Sequence, residues 1–274
     1  MESGVDEMTS LRMRRIFAED GRALVVAIDH ALSMGHLPGL EDPERIIGIA
    51  ASERADAVMT TAGVVKRCAG RLGKTGLIVR ADFGGTYLAS QPPAPDLAVS
   101  IEEALTIGAD ALAVMLYPGA PRDLEERSFR NLSLLVREGM KWGVPVLAEV
   151  VPYGSFDLQR TSPEDIVSCV RMAAEAGADF IKTFYAGGPE SFSKVAEAAR
   201  VPVLILGGPK VSGELGLLKM VRDALDAGAS GVAFGRNIWQ HKDPAGVVRA
   251  LRQVIHEGVS PEEAAERLGL GCGA

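Results

Sequence analysis

Eight short apolar runs rich in β-branched residues recur along the chain, at Leu24–Asp29, Ala57–Thr60, Leu77–Asp82, Ala111–Leu116, Val144–Val151, Asp179–Thr183, Val201–Gly207 and Gly231–Gly235. Amphipathic helical segments lie between them, among them Ile101–Ile107, Asp123–Lys141, Pro163–Glu175 and Gly216–Asp226. A strand apolar on both faces must be covered on both, so such runs alternating with helices specify a parallel sheet wrapped by helices. Eight units in 274 residues predict an α/β fold, a (β/α)8 TIM barrel. One domain would span 1–274, with a short N-terminal lead-in and a C-terminal helix. A doubly wound open sheet is the competing architecture, but no Gly-x-Gly-x-x-Gly follows the first strand.

Several helices end in one phrase and pass directly into a strand: Ile107-Gly108-Ala109-Asp110, Ala176-Gly177-Ala178-Asp179 and Ala227-Gly228-Ala229-Ser230. The glycine suits a left-handed helix cap. Near the end of the chain, Ser260 before Pro261 and Glu263 predicts a capped helix over 260–268.

Composition narrows the function. With 47% hydrophobic and 24% charged residues the chain reads as a soluble globular protein, and a net charge of −7 gives no footprint for nucleic acid. No apolar run approaches the roughly 18 residues of a membrane span. The segment Met1 to Arg15 has acidic residues and no apolar stretch of the secretory kind, and Arg12, Arg14 and Arg15 read as a solvated helix face. Cys68, Cys169 and Cys272 are odd in number and widely spaced, which fits neither a disulfide framework nor a zinc site and implies a reduced, cytoplasmic protein. Cys169 reads as core. His30, His36, His241 and His256 show no metal-ligand spacing. Neither a metal nor a cofactor is expected.

In a barrel of this kind function sits where the strands end. The first strand ends Ile28-Asp29-His30, the third carries Arg80 and Asp82, and the fifth carries Glu149 and runs into Pro152-Tyr153-Gly154. The sixth ends at Lys182, the seventh opens into Gly207-Gly208-Pro209-Lys210, and the eighth closes with Gly235-Arg236-Asn237. Lys182 is the sharpest of these. A lysine is rarely buried unless paired or used, and desolvation favours its free amine, which can attack a carbonyl. The plain alternative is a strand-edge lysine reaching for water. Gly207, Gly208 and Gly235 let backbone N–H groups approach an anion, with Lys210 or Arg236 adding charge, a pairing of loops that commonly binds phosphate. Turn glycines are the alternative there. Asp29 can bind substrate hydroxyls or move a proton, or else cap a helix. His30 and His36 are equally compatible with loop hydrogen bonds and with substrate contact.

Taken together, Asp29-His30-Ala31-Leu32-Ser33-Met34-Gly35, Ile181-Lys182-Thr183, Gly207-Gly208-Pro209-Lys210 and Gly235-Arg236-Asn237-Ile238-Trp239-Gln240 resemble the archaeal-type class I fructose-bisphosphate aldolase family. That family belongs to the broader DeoC/LacD-type Schiff-base aldolases. Met13-Arg14-Arg15-Ile16-Phe17 and Asp20-Gly21-Arg22 fit it too, and the likeness spans roughly 10–256. The resemblance implies a metal-independent lyase or transferase acting on a phosphorylated keto compound. Family activities are fructose-1,6-bisphosphate aldolase, 2-amino-3,7-dideoxyheptulosonate synthase and a thiolase of phosphorylated autoinducer-2 breakdown products. It implies Lys182 as the Schiff-base lysine, Asp29 as a substrate-binding or proton-handling acid, a phosphorylated small-molecule substrate, and assembly into a homo-oligomeric ring.

The chain departs from the family at the fifth strand, where Tyr-Pro-Arg-Gly, whose tyrosine is the general acid/base, is replaced by Val151-Pro152-Tyr153-Gly154. Valine transfers no proton. Strand alternation puts Glu149 on the same face as Val151, so Glu149 is the first substitute and Tyr153 the second. Glu149 also reads as a buried carboxylate paired with Arg80 or Lys182. Asp82 adds another carboxylate near the rim, expected to meet substrate or Arg80. The contrasting functional class is a phosphate-binding regulatory protein without turnover, for which Val151 is the one feature in favour. Trp239, Phe234 and Ile238 fit either an oligomer surface or the core of the last unit.

Overall fold

The computed structural model of the protein describes residues 11–90, 94–153, 162–185, 187–207 and 213–269. In chain order its strands are β1 (Ala23–Ala27), β2 (Ala57–Thr60), β3 (Gly76–Arg80), β4 (Asp82–Phe83), β5 (Asp96–Leu97), β6 (Ala111–Leu116), β7 (Val146–Val150), β8 (Phe180–Phe184), β9 (Val203–Leu206) and β10 (Gly231–Phe234). Eight of them close into a parallel barrel in the order β1-β10-β9-β8-β7-β6-β3-β2. Every expected strand is present, and the TIM barrel is the fold. β4 and β5 form a separate antiparallel ribbon, which the sequence pattern did not reveal. The expected strand Leu77–Asp82 breaks at Ala81, whose carbonyl accepts the N–H groups of Ala98 and Val99 at 2.7 and 3.1 Å. That turn carries Asp82 out of the barrel ladder and into the ribbon.

Helices α1 (Ala31–Met34), α2 (Pro43–Ser52), α3 (Ala62–Cys68), α4 (Ile101–Thr106), α5 (Arg122–Trp142), α6 (Pro163–Glu175), α7 (Pro189–Ala199) and α8 (Gly213–Asp226) return the chain between strands. After β10 come α9 (Arg236–Trp239), α10 (Pro244–His256) and α11 (Pro261–Arg267). Ser100 and Ser162 head capping boxes on α4 and α6, and Ser260 caps α11 through the Glu263 N–H at 3.2 Å, as its sequence predicts. Among the described residues no helix is long and apolar enough to cross a membrane. Cys68 and Cys169 are buried free thiols, whereas Cys272 lies outside the described residues. Phe234, Ile238 and Trp239 are buried, so they belong to the core of the last unit.

The phrase ending the helices fastens the barrel's base. Gly108, Gly177 and Gly228 adopt φ of 78°, 98° and 99°. The next N–H returns to the helix, from Ala109, Ala178 and Ala229 to the carbonyls of Ala104, Ala173 and Ala224 at 3.0, 3.1 and 2.8 Å. The following aspartate then grips the preceding strand. Asp110 donates its N–H to the Leu77 carbonyl at 2.7 Å and accepts the Leu77 N–H on its carboxylate at 2.9 Å. Asp179 does the same with Val146, at 3.0 and 2.7 Å, and Asp56 with Leu24, at 3.0 and 2.6 Å. At this last junction the left-handed residue is Arg54, φ 61°, where the sister positions have glycine; Arg200, φ 56°, is the other non-glycine case among the described residues.

The lead-in seals the same end. Ile16 and Phe17 plug the barrel interior, with Phe17 edge-on to Phe180 at 5.6 Å. Arg12 and Arg15 are not a merely solvated face: Arg12 Nη1 donates to the Ala109 carbonyl at 2.9 Å and Arg15 Nη1 to Asp110 at 3.1 Å.

His256, at the end of α10, completes the seal. Its Nδ1 and Nε2 lie 2.9 Å from Asp20 Oδ2 and 2.9 Å from Asp56 Oδ2, an arrangement both ring nitrogens satisfy as donors only in the imidazolium. Burial opposes that charge, but the hydrogen bonds and charges of Asp56 and Asp20 outweigh it, and the pKa is raised. The stabilisation is therefore fully present below the unfolded value near 6.5 and is lost as pH rises through the higher folded value. His256→Ala is expected to cost about 2 kcal/mol at pH 6 and distinctly less at pH 9, measured by urea unfolding at both.

Candidate active site

A cavity of about 620 Å³ opens at the C-terminal end of the barrel. Lys182 and Glu149 form its floor. They are register partners on β8 and β7, so both side chains point into the barrel side by side. Lys182 Nζ lies 2.7 Å from Glu149 Oε1, and Lys182 is only 4% exposed. The other Glu149 oxygen accepts from Arg80 Nη2. Thus the alternative of a Glu149 paired with a buried cation holds twice over, with Arg80 and with Lys182.

Arg80, at the end of β3, is the hub. Besides Glu149, its Nε donates to Asp29 Oδ2 at 2.9 Å and its Nη1 to Asp82 Oδ1 at 3.4 Å. Asp82 meets Arg80, one of its two expected partners, and its second oxygen accepts the Met115 N–H at 3.0 Å. Asp29 spends its carboxylate on Arg80 and does not cap α1, whose N-cap is His30 with no side-chain hydrogen bond. Two cations face three carboxylates in a nearly dry space. Burial raises the pKa of Asp82 against the pull of Arg80. Burial would raise Glu149 too, but Lys182 and then Arg80 overcome it and bring the carboxyl down to about 2. Glu149 is therefore ionised at neutral pH and can only accept a proton there.

His30 lines the cavity, its ring edge-on to Trp239 at 5.5 Å and its Nδ1 3.5 Å from Asp29 Oδ1. Burial lowers its pKa despite Asp29, so the ring is neutral near pH 7. Trp239 is held by donating Nε1–H to the Ala27 carbonyl at 3.1 Å. Val151 lines the wall beside Glu149, as strand alternation requires.

Gly207, Gly235 and Arg236 stand together at the rim, while Gly208 and Lys210 lie outside the described residues. Gly235 is required sterically, and Gly207 is closely packed. A Cβ on Gly207 would fall 2.6 Å from Asn237 Nδ2, which donates to the Gly207 carbonyl at 3.0 Å; one on Gly235 would fall 2.4 Å from His30 Cε1. Arg236 is exposed and has no carboxylate partner among the described residues. Tyr153 is not brought to the site: it is 42% exposed, absent from the cavity lining, and donates its N–H to the Pro118 carbonyl at 2.9 Å.

Tyr117 was not anticipated from the sequence. It follows β6, lines the cavity, and its phenol is pushed up to about 12 by burial and then by Asp82. The signal was available, since the fourth run ends Leu116-Tyr117-Pro118-Gly119, a strand end of the same kind as those that supplied the other candidates.

A buried amine on the floor of an open polar cavity is placed where it can attack carbonyl carbon covalently. The comparisons agree. Residues 23–241 match the model of the DeoC/LacD family aldolase. The chain is 35% identical over 250 residues to the class 1 fructose-bisphosphate aldolase of Thermoproteus tenax, covering 89% of this chain and 93% of the relative. It is also 35% identical over 265 residues to the 2-amino-3,7-dideoxy-D-threo-hept-6-ulosonate synthase of Halobacterium salinarum, covering 97% and 98%. The solved structure of an archaeal fructose-1,6-bisphosphate aldolase, with its catalytic lysine covalently bound to the carbinolamine intermediate of the substrate, superposes with a TM-score of 0.82 at 34% identity, covering 91% of this chain and 99% of that one. The chain belongs to the DeoC/LacD aldolase family. It is an enzyme of that family, a class I aldolase or a related Schiff-base transferase.

Arg80→Met should destabilise the fold by about 3–5 kcal/mol, since it strands buried carboxylates without their counter-charge. The deficit should shrink from pH 8 to pH 5 as those carboxylates take up protons in the folded state, measured by denaturant unfolding across that range.

Proposed function

We propose that Lys182 forms the Schiff base and Glu149 handles the proton, in cleavage or formation of a carbon–carbon bond of a phosphorylated ketone. The observation that carries this reading is the 2.7 Å contact between the Lys182 amine and Glu149 on the cavity floor. Attack on the ketone carbon needs the free amine, and Glu149 is the acceptor within reach of its proton. That proton then leaves with the carbinolamine oxygen as water, and the iminium that remains retains the positive charge Glu149 was already facing. In the cleavage direction Glu149 takes the proton of the hydroxyl on the carbon beyond the breaking bond. The bond's electrons move into the iminium to give an enamine, and an aldehyde departs. Protonation of the enamine carbon and attack of water on the re-formed iminium release the second product and return Lys182.

Asp29 and neutral His30 face the same space and suit substrate hydroxyls. Tyr117 keeps its phenolic proton at every physiological pH and gives the wall a hydrogen-bond donor. For the phosphate, what supports the reading is the rim of Gly207, Gly235 and Arg236, a cation with no carboxylate partner among the described residues. Gly208 and Lys210 would add to the same loops. Arg80 and Asp82 act by position, Arg80 holding Asp29 and Glu149 in place.

A second reading is a transferase of the same family, a thiolase-like or transaldolase-like synthase on a phosphorylated diketone or keto sugar. Val151 favours it, because an apolar wall stands where the aldolases of the resembled group carry their acid/base tyrosine. A homo-oligomer and a role in carbohydrate metabolism accompany either reading as proposals.

Borohydride trapping with dihydroxyacetone phosphate, fructose 1,6-bisphosphate and a phosphorylated diketone, read by intact mass, tests both. A stable adduct on the wild type that is missing from Lys182→Ala is the expected result, and the best-trapped ligand separates the readings. No adduct with any ligand would sink the assignment of Lys182. Glu149→Gln is expected to lower kcat by about 10²–10⁴-fold. Arg236→Ala should raise KM for the phosphorylated substrate with a smaller change in kcat, measured in steady state.

A further inference from the structure

The base of the barrel holds a second cavity, of about 450 Å³, lined by Arg14, Arg15, Arg54, Lys74 and Arg252, with Asp56 its one carboxylate. These residues precede β1, β2 and β3 or lie at the ends of α2 and α10, so the cavity faces away from the active site. Five cations converge in a chain with 36 acidic and 29 basic residues. Asp56 makes no ion pair with any of the five among the described residues; its Oδ2 meets His256 at 2.9 Å and the Leu24 N–H at 2.6 Å. Arg15 is tied to Asp110, and Arg252 donates to the Arg54 carbonyl at 3.2 Å with Glu257 3.9 Å from its Nε. Arg14, Arg54 and Lys74 have no carboxylate within 4.0 Å among the described residues.

Complementation of helix C-termini accounts for single basic residues near the ends of α2 and α10. It leaves out Arg14, which lies on neither helix, and it does not explain the left-handed backbone of Arg54. At the three sister junctions the same cap is built with Gly108, Gly177 and Gly228; here an arginine takes the left-handed conformation that glycine adopts without penalty. Arg14, Arg54 and Lys74, exposed and without a carboxylate partner among the described residues, concentrate the opposite charge from solution. Phe17, Ala51 and Ala55 supply an apolar wall beneath them, and Thr75 a hydroxyl.

We infer that this basal cavity binds a small anion carrying two or more phosphate groups, which the arginine forks and Lys74 grip together. Inorganic polyphosphate and a nucleoside diphosphate share that chemistry. Isothermal titration with tripolyphosphate and with ADP, on the full chain at about 0.15 M salt, physiological ionic strength, distinguishes them. The wild type should bind one equivalent at this site. The double variant Arg54→Gly, Lys74→Ala should lose roughly tenfold or more in affinity, about one charge-assisted contact per factor of ten. Its melting temperature should not fall, because glycine is the residue the sister junctions use. Arg236→Ala, at the opposite face, should keep the binding, which separates this site from the proposed substrate phosphate site. Tighter ADP would identify a nucleotide, and tighter tripolyphosphate a free polyphosphate. Equal affinity in wild type and double variant, binding lost in Arg236→Ala alone, or no binding by either probe would overturn the proposal.

Discussion

One guanidinium holds the catalytic end together. Arg80 reaches Asp29, Asp82 and Glu149 from a single planar fork, so side chains from three strand ends and the β4–β5 ribbon are fixed against one another. A buried arginine suits this because it never gives up its proton, and its donors are rigidly spread. Three carboxylates in so dry a space would otherwise take up protons or move apart. Glu149 is positioned twice, by Arg80 on one oxygen and Lys182 on the other, and that geometry aims the lysine amine at the cavity.

In the proposed mechanism Glu149, 2.7 Å from the Lys182 amine, is the nearest acceptor for the proton that must leave. Under that proposal the iminium keeps its positive charge until the carbon–carbon bond breaks, and the carboxylate is free to act on the substrate. With Val151 apolar in the wall, the proposal places proton transfer on the floor of the barrel instead of its side. Neutral His30, packed on Trp239 and against Gly235, borders the same space without adding charge.

Much of this was readable from residue order, for definite reasons. All eight barrel strands were visible because each is apolar on both faces, a signal independent of partners. Lys182, Glu149, Asp29, Arg80 and Asp82 follow from reading strand ends, and the structure gathers all five. The β4–β5 ribbon was invisible because two residues per strand carry no period. Tyr153 was chosen by aligning a proline and a glycine, but backbone hydrogen bonding to Pro118 turns it outward. Tyr117 was passed over because its strand end carries no ionised group. Arg12 and Arg15 look like surface bases in any window of sequence, since their partners, Ala109 and Asp110, are nearly a hundred residues away.

The aspartates at the strand bases have a consequence of their own. Asp56, Asp110 and Asp179 each lock a strand to its predecessor at the end remote from the chemistry, using backbone groups that any side chain would leave available. Stitching of this backbone kind is thereby kept at the pole opposite the cavity. Replacements at the upper pole, such as a valine for a tyrosine, can accumulate without loosening the stitching below. The lower pole works as a chassis, and the upper pole as interchangeable tooling.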